Sequence, residues 1–195
     1  MKFIFLISGM NSWENSLPII YELSKKKKNK ITIGIETHVL FTKFLKDKFR
    51  KNFIEDNKIS LLYLDRPKSL NDIAKLFLFY LKLIFVKFNF ILETIDFDQD
   101  LKLTNFFLKY NLFLGCKRVK IFSDSLSENE LKNTQIFYDI MNIKNKKLNF
   151  LKYDLTILSN EKTILKKIFN NIEFSKNNIN LGKIKLNDDW LKYIN

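Results

Sequence analysis

Short unbroken apolar runs alternate along this chain with longer segments of helical spacing. Phe3–Ile7 is the first run and stops at Ser8-Gly9. Leu17, Ile20, Tyr21 and Leu23 then recur at helical spacing, with Pro18 expected in the helix's first turn. A lysine run, Lys25–Lys28, is expected to close that helix at its negative end. Ile31–Ile35 predicts a second strand, Val39–Phe49 a second helix, and Leu61–Leu64 a third strand. A capping sequence at Ser69–Asp72 opens a long helix reaching about Lys87. Phe90–Leu92 is a fourth strand, and Asp100–Leu114 a helix that Gly115 would terminate. Val119–Phe122, Leu155–Leu158 and Ile179–Leu181 complete the strands, with helices at Gln135–Met141 and Lys162–Phe169 between them. The polar, lysine-rich Asn142–Asn149 reads as a flexible loop.

Strands that are apolar without alternation are buried on both faces, which is the situation in parallel sheets covered by helices. The order therefore predicts βαβ units in a Rossmann-like, doubly wound α/β domain with helices on both faces of a parallel sheet. One domain accounts for residues 1–182. Residues 183–195 would begin an interdomain crossing or a C-terminal helix, with a second domain absent.

Composition narrows the class. The chain has 195 residues, 46% hydrophobic and including 20 Phe, so it cannot remain disordered. A single cysteine, Cys116, rules out a disulfide framework, and one Cys with one His cannot build a zinc cluster, so no metal is expected. The 34 Lys+Arg against 21 Asp+Glu leave a net charge of +13. Such a charge favours anionic partners, although abundant Lys, Asn, Ile and Phe also follow from AT-rich coding. Lysine greatly outnumbers arginine, whereas readers of phosphate or RNA prefer the bidentate guanidinium.

The opening Met-Lys-Phe-Ile-Phe-Leu-Ile lacks the length and the small-x-small site of a signal peptide and reads as a buried strand. Ala74–Leu92 comes nearest to a spanning helix but is interrupted by Lys75, Lys82 and Lys87. A cytoplasmic location is expected, with peripheral contact at the inner membrane.

Open parallel sheets bind ligands beyond the carboxyl ends of their strands. The polar segments there are Ser8–Glu14, Glu36–His38, Asp65-Arg66, Glu93-Thr94, Ser123–Ser125 and Ser159–Glu161. In the first, Gly9 permits close backbone approach, Met10 follows, and Asn11 and Ser12 are placed to cap the next helix, whose amino end attracts anions. Glu14 is a candidate acid/base. His38, the chain's one imidazole, is a candidate general base tuned near neutral pH, or a half-buried structural histidine. Ser123, Asp124 and Ser125 are candidates for substrate contact. No G-x-G-x-x-G, P-loop or G-x-S-x-G motif is present.

Lys68, Lys75 and Lys82 recur every seven residues and form one stripe on a helix otherwise apolar nearly all round. Such a helix would pack on a second domain, lie among acidic headgroups, or sit centrally with one lysine ridge exposed.

Ser8 through Leu23, Ile157–Asn160, Leu181–Lys183 and Asp188–Leu191 together resemble the N-terminal half of a GT-B glycosyltransferase. The group includes bacterial polysaccharide transferases and UDP-N-acetylglucosamine 2-epimerase-like enzymes. The resemblance implies two facing Rossmann-like domains, the first receiving a sugar or lipid-linked acceptor and the second gripping a nucleotide-sugar donor. This chain would hold the acceptor half, with no cofactor of its own, and would be inactive until a donor-binding domain or subunit joined it. Cell-surface polysaccharide or lipopolysaccharide synthesis is the implied setting. Two other readings stand beside it: a non-catalytic Rossmann-like module that pairs with another chain, and a basic nucleic-acid binder. The aromatics fall in apolar runs and are not interleaved with Arg, so no nucleic acid is expected as a partner.

Overall fold

A computed structural model describes residues 1–7, 10–35, 41–43, 46–63, 77, 87–94, 110–122, 148–149, 153–158, 172–173, 175–181 and 188–194. Its strands are β1 (Lys2–Ile7), β2 (Lys30–Ile35), β3 (Ser60–Tyr63), β4 (Phe90–Thr94), β5 (Lys117–Phe122), β6 (Leu148–Asn149), β7 (Leu155–Leu158), β8 (Ile172–Glu173) and β9 (Asn178–Asn180). The described helices are α1 (Met10–Ser24), α2 (Lys48–Asp56) and α3 (Asp188–Ile194). Seven strands lie in one sheet in the order β3-β2-β1-β4-β5-β7-β9, and β6 pairs with β8. This is the expected Rossmann-like parallel sheet with helices. The chain divides into two compact units, Met1–Lys117 and Arg118–Asn195.

In the first unit β1 pairs in parallel with β2 on one side and β4 on the other. β3 adds in parallel to β2. The apolar runs are buried on both faces: Ile4, Phe5, Ile7, Ile33, Ile35 and Ile91 are fully enclosed. Phe3 stacks on Phe90 with ring centroids 5.2 Å apart. On α1, Trp13, Ser16, Leu17 and Ile20 form the buried stripe, and the helix lies against β1, β2 and β4. Phe53 of α2 meets Trp13 edge-on at 6.0 Å. Fully burying one such side chain contributes about 1.5–3 kcal/mol.

Four local expectations are corrected. α1 begins at Met10, so Asn11 and Ser12 lie inside its first turn instead of capping it, and Pro18 is an interior residue. The second helix does not run through to Phe49: the Asp47 backbone is extended, and its carboxylate accepts the Arg50 N–H at 2.8 Å. Asp47 is therefore the N-cap of a new helix, α2, since a side-chain acceptor there satisfies an orphan amide. The lysine run at residues 25–28 follows directly on the carboxyl end of α1, where it was expected. Leu148–Asn149, read as loop, is the short strand β6.

Gly115 does end a helical segment as expected, at φ 78°. Its N–H donates to the Leu112 carbonyl at 2.9 Å, and the Cys116 N–H donates to the Asn111 carbonyl at 3.0 Å. Those two bonds define a Schellman turn.

In the second unit β7 lies between β5 and β9, all parallel. The buried Thr156 hydroxyl donates to Ser175 Oγ at 2.8 Å. Arg118 and Lys120 both sit over the Tyr153 ring, at 4.7 and 5.5 Å. Trp190 of α3 is buried and stacks on Tyr193 at 5.7 Å.

Candidate functional site

In a doubly wound sheet the crossovers leave in opposite directions from the strand at which the order reverses, and this opens a crevice at its carboxyl end. Here that strand is β1, flanked by β2 and β4. Ile7 ends β1, and α1 starts at Met10, so the amino end of a fifteen-residue helix stands directly above the reversal point. The first-turn amides of such a helix have no intrahelical partner and favour negative charge. No acidic residue occupies that first turn.

Among the described residues, two carboxylates belong to this neighbourhood. Glu14 is exposed on α1, beside the buried Trp13. Glu93 is half-buried near the end of β4, in register with Leu6 of β1. The strand-end pattern had placed Glu93-Thr94 on this rim, and the register sets it beside β1.

The sequence reading passed over Asn15 and Ser16. Ser16 is fully buried within the apolar stripe of α1. Asn15 is only 7% exposed, and its Oδ1 has no hydrogen-bond partner among the described residues. A buried amide oxygen without a donor carries a desolvation penalty of about 1–3 kcal/mol. The available signal was two adjacent polar residues in a helix that is otherwise apolar at the positions facing the sheet.

Of the other candidates, Met10, Asn11 and Ser12 are helical, as the backbone of α1 shows. Gly9, His38, Ser123, Asp124 and Ser125 lie outside the described residues, as do Lys68, Lys75 and Lys82. Among the described residues no helix is long and apolar enough to cross a membrane.

No family model matches the sequence, and no curated protein does. Among solved structures, the chain is similar to a UGT transferase from Siraitia grosvenorii in complex with UDP. There it shares 9% identity at a TM-score of 0.49 and covers 94% of this chain and 51% of the other. It is also similar to HepE of Anabaena in complex with UDP and glucose, at 13% identity and a TM-score of 0.43. That match covers 89% of this chain and 44% of the other. The chain thus spans about half the length of each of these proteins.

Proposed function

We propose that this chain is the acceptor-side half of a nucleotide-sugar-dependent glycosyltransferase of cell-surface polysaccharide or lipopolysaccharide synthesis. The observation that carries the reading is the amino end of α1 standing at the carboxyl end of the reversal strand β1. Met10 to Leu23, which lie within the segment that resembles a GT-B first domain, belong to the α1 of this junction. A sugar acceptor offers hydroxyls, which suit the amino end of a helix, the Asn15 carbonyl oxygen and the two carboxylates Glu14 and Glu93. Glu14 would then take the proton of the attacking hydroxyl, or hold that hydroxyl in place. The donor diphosphate would be gripped by a further domain or subunit, so the chain alone should bind acceptor and not transfer sugar.

Calorimetric titration tests this with UDP-glucose, UDP-N-acetylglucosamine and a panel of cell-surface oligosaccharides. Binding of an oligosaccharide, weakened by Asn15→Ala and Glu14→Gln, is the expected result. Tight binding of UDP-sugar without any oligosaccharide binding, or binding of neither, overturns the reading.

A further inference from the structure

The amino ends of the strands in Met1–Lys117 carry one lysine after another. Lys2 and Lys30 are direct register partners on β1 and β2. Lys58 precedes β3 by two residues and Lys87 precedes β4 by three. Lys117 opens β5, and its N–H donates to the Asn89 carbonyl at 3.0 Å, at the level where β4 begins. Because these strands are parallel, their amino ends share one edge of the sheet. Lys30, Lys58, Lys87 and Lys117 are exposed. None of the four has an ion pair among the described residues. Among the described residues of this unit, the carboxylates near this edge are Glu22, held by Lys25 at 2.7 Å, Glu55, 3.9 Å from Lys51, and Asp56, which ends α2. Like charges in register on neighbouring strands repel, so this edge stores positive potential that an anionic surface would relieve.

Two further observations say what kind of surface. Phe113 is 88% exposed, on the helical turn just ahead of Gly115 and Lys117, at the same edge. An aromatic ring held in water beside lysines gains nothing there, whereas the boundary between headgroups and acyl chains accepts both. Single-stranded nucleic acid favours several aromatics along a groove with arginine, and this edge offers one ring and lysines. Secondly, Lys58 sits at φ 52°. That left-handed conformation, which glycine adopts freely and other residues at a cost, is the one the turn after α2 requires, and it fixes the lysine's backbone at this edge.

We propose that the amino edge of this sheet, with Lys30, Lys58, Lys87, Lys117 and Phe113, docks the protein on an anionic lipid bilayer. Docked this way, the carboxyl edge with the α1 junction stands roughly 20 Å from the lipid, the length of a six-residue strand. The inference is independent of the sugar-transfer reading and separate from the Lys68, Lys75 and Lys82 stripe.

The test is co-sedimentation of the full chain with phosphatidylcholine vesicles, with and without phosphatidylglycerol. Binding to the anionic vesicles alone is expected, with each neutralised lysine weakening it about fivefold. The combined Lys30→Gln, Lys58→Gly and Lys117→Gln variant should therefore lose about a hundredfold. Phe113→Ser should lose about tenfold. Lys58→Gly alone removes a charge while easing the backbone, so weaker binding by that variant, with unchanged circular dichroism, supports the docking edge free of any folding defect. Equal binding to both vesicle types, binding to neither, or full binding by the combined variant overturns the proposal. So does loss of binding through Lys68→Gln, Lys75→Gln and Lys82→Gln with the edge intact, or displacement from vesicles by a short single-stranded RNA.

Discussion

Two helix ends in the first unit are built to the same hydrogen-bond plan and filled with different residues. After α2, the Lys58 N–H donates to the Glu55 carbonyl at 3.1 Å and the Ile59 N–H to the Ile54 carbonyl at 2.9 Å. The turn at Gly115 repeats that pattern with Leu112 and Asn111. Both turns require a left-handed residue, φ 52° at Lys58 and φ 78° at Gly115. Gly115 meets the requirement without steric penalty, and a Cβ placed there would touch nothing within 4 Å. Lys58 meets it against its own preference, at about 1–2 kcal/mol. The flanking residues compensate differently: Ile54 and Ile59 are both buried at the apolar positions of the first turn, while Asn111 and Cys116 occupy those of the second. The lesson is that a pair of large apolar flanking residues can impose a turn on a poor residue, whereas a turn flanked by a polar and a small side chain, though equally buried, depends on the right one.

The largest way to break this comparison is Phe53→Ala. Phe53 is 1% exposed and anchors α2 against Trp13, so its loss should cost about 3–5 kcal/mol by denaturant titration. Amide exchange should then accelerate at Ile59 far more than at Cys116; equal acceleration would show that the first turn does not depend on its packing.

Gly115→Ala should destabilise by about 1–2 kcal/mol, entirely through backbone conformation because the space is open. A thermal midpoint unchanged by that substitution would mean the second turn tolerates an ordinary residue as the first does. The converse, Lys58→Gly, should stabilise by about 1 kcal/mol, the relief of strain being partly offset by glycine's greater freedom in the unfolded chain. A loss of stability there would reveal that the lysine contributes contacts beyond its charge. The smallest effect belongs to Glu22→Gln on α1. Its pair with Lys25 at 2.7 Å is substantially exposed, so the change should stay below about 0.5 kcal/mol and vanish in high salt.

β1, β2, β4 and β7 were legible because each is a mainly apolar run of a type that a sheet covered on both faces buries. Ile31–Ile35 and Leu155–Leu158 show it in their nearly complete burial. Gly115 was legible because a glycine directly after a helical pattern has one common use. α2 was not, since Lys48–Asp56 offers only Phe49, Phe53 and Ile54 as apolar positions, too few to stand out from the preceding pattern. The N-cap at Asp47 was the available signal. β6 and β8, two residues each, are too short to carry any periodicity. At the candidate site, the succession of β1 and α1 could be read in advance, while the burial of Asn15 could not, because a helical position does not reveal what covers its outer side.

By itself, then, the sequence determined the parallel α/β class, through the mainly apolar runs of β1, β2, β4 and β7 alternating with helical segments. It also determined the cationic character of the surface, since charge is a property of composition. Tertiary structure alone decided where these meet: pairing β1 between β2 and β4 makes one strand end the reversal point. The same parallel register gathers lysines far apart in the chain along the opposite edge. Neighbours in space come from strand order, which long-range pairing sets and local residue preference does not specify.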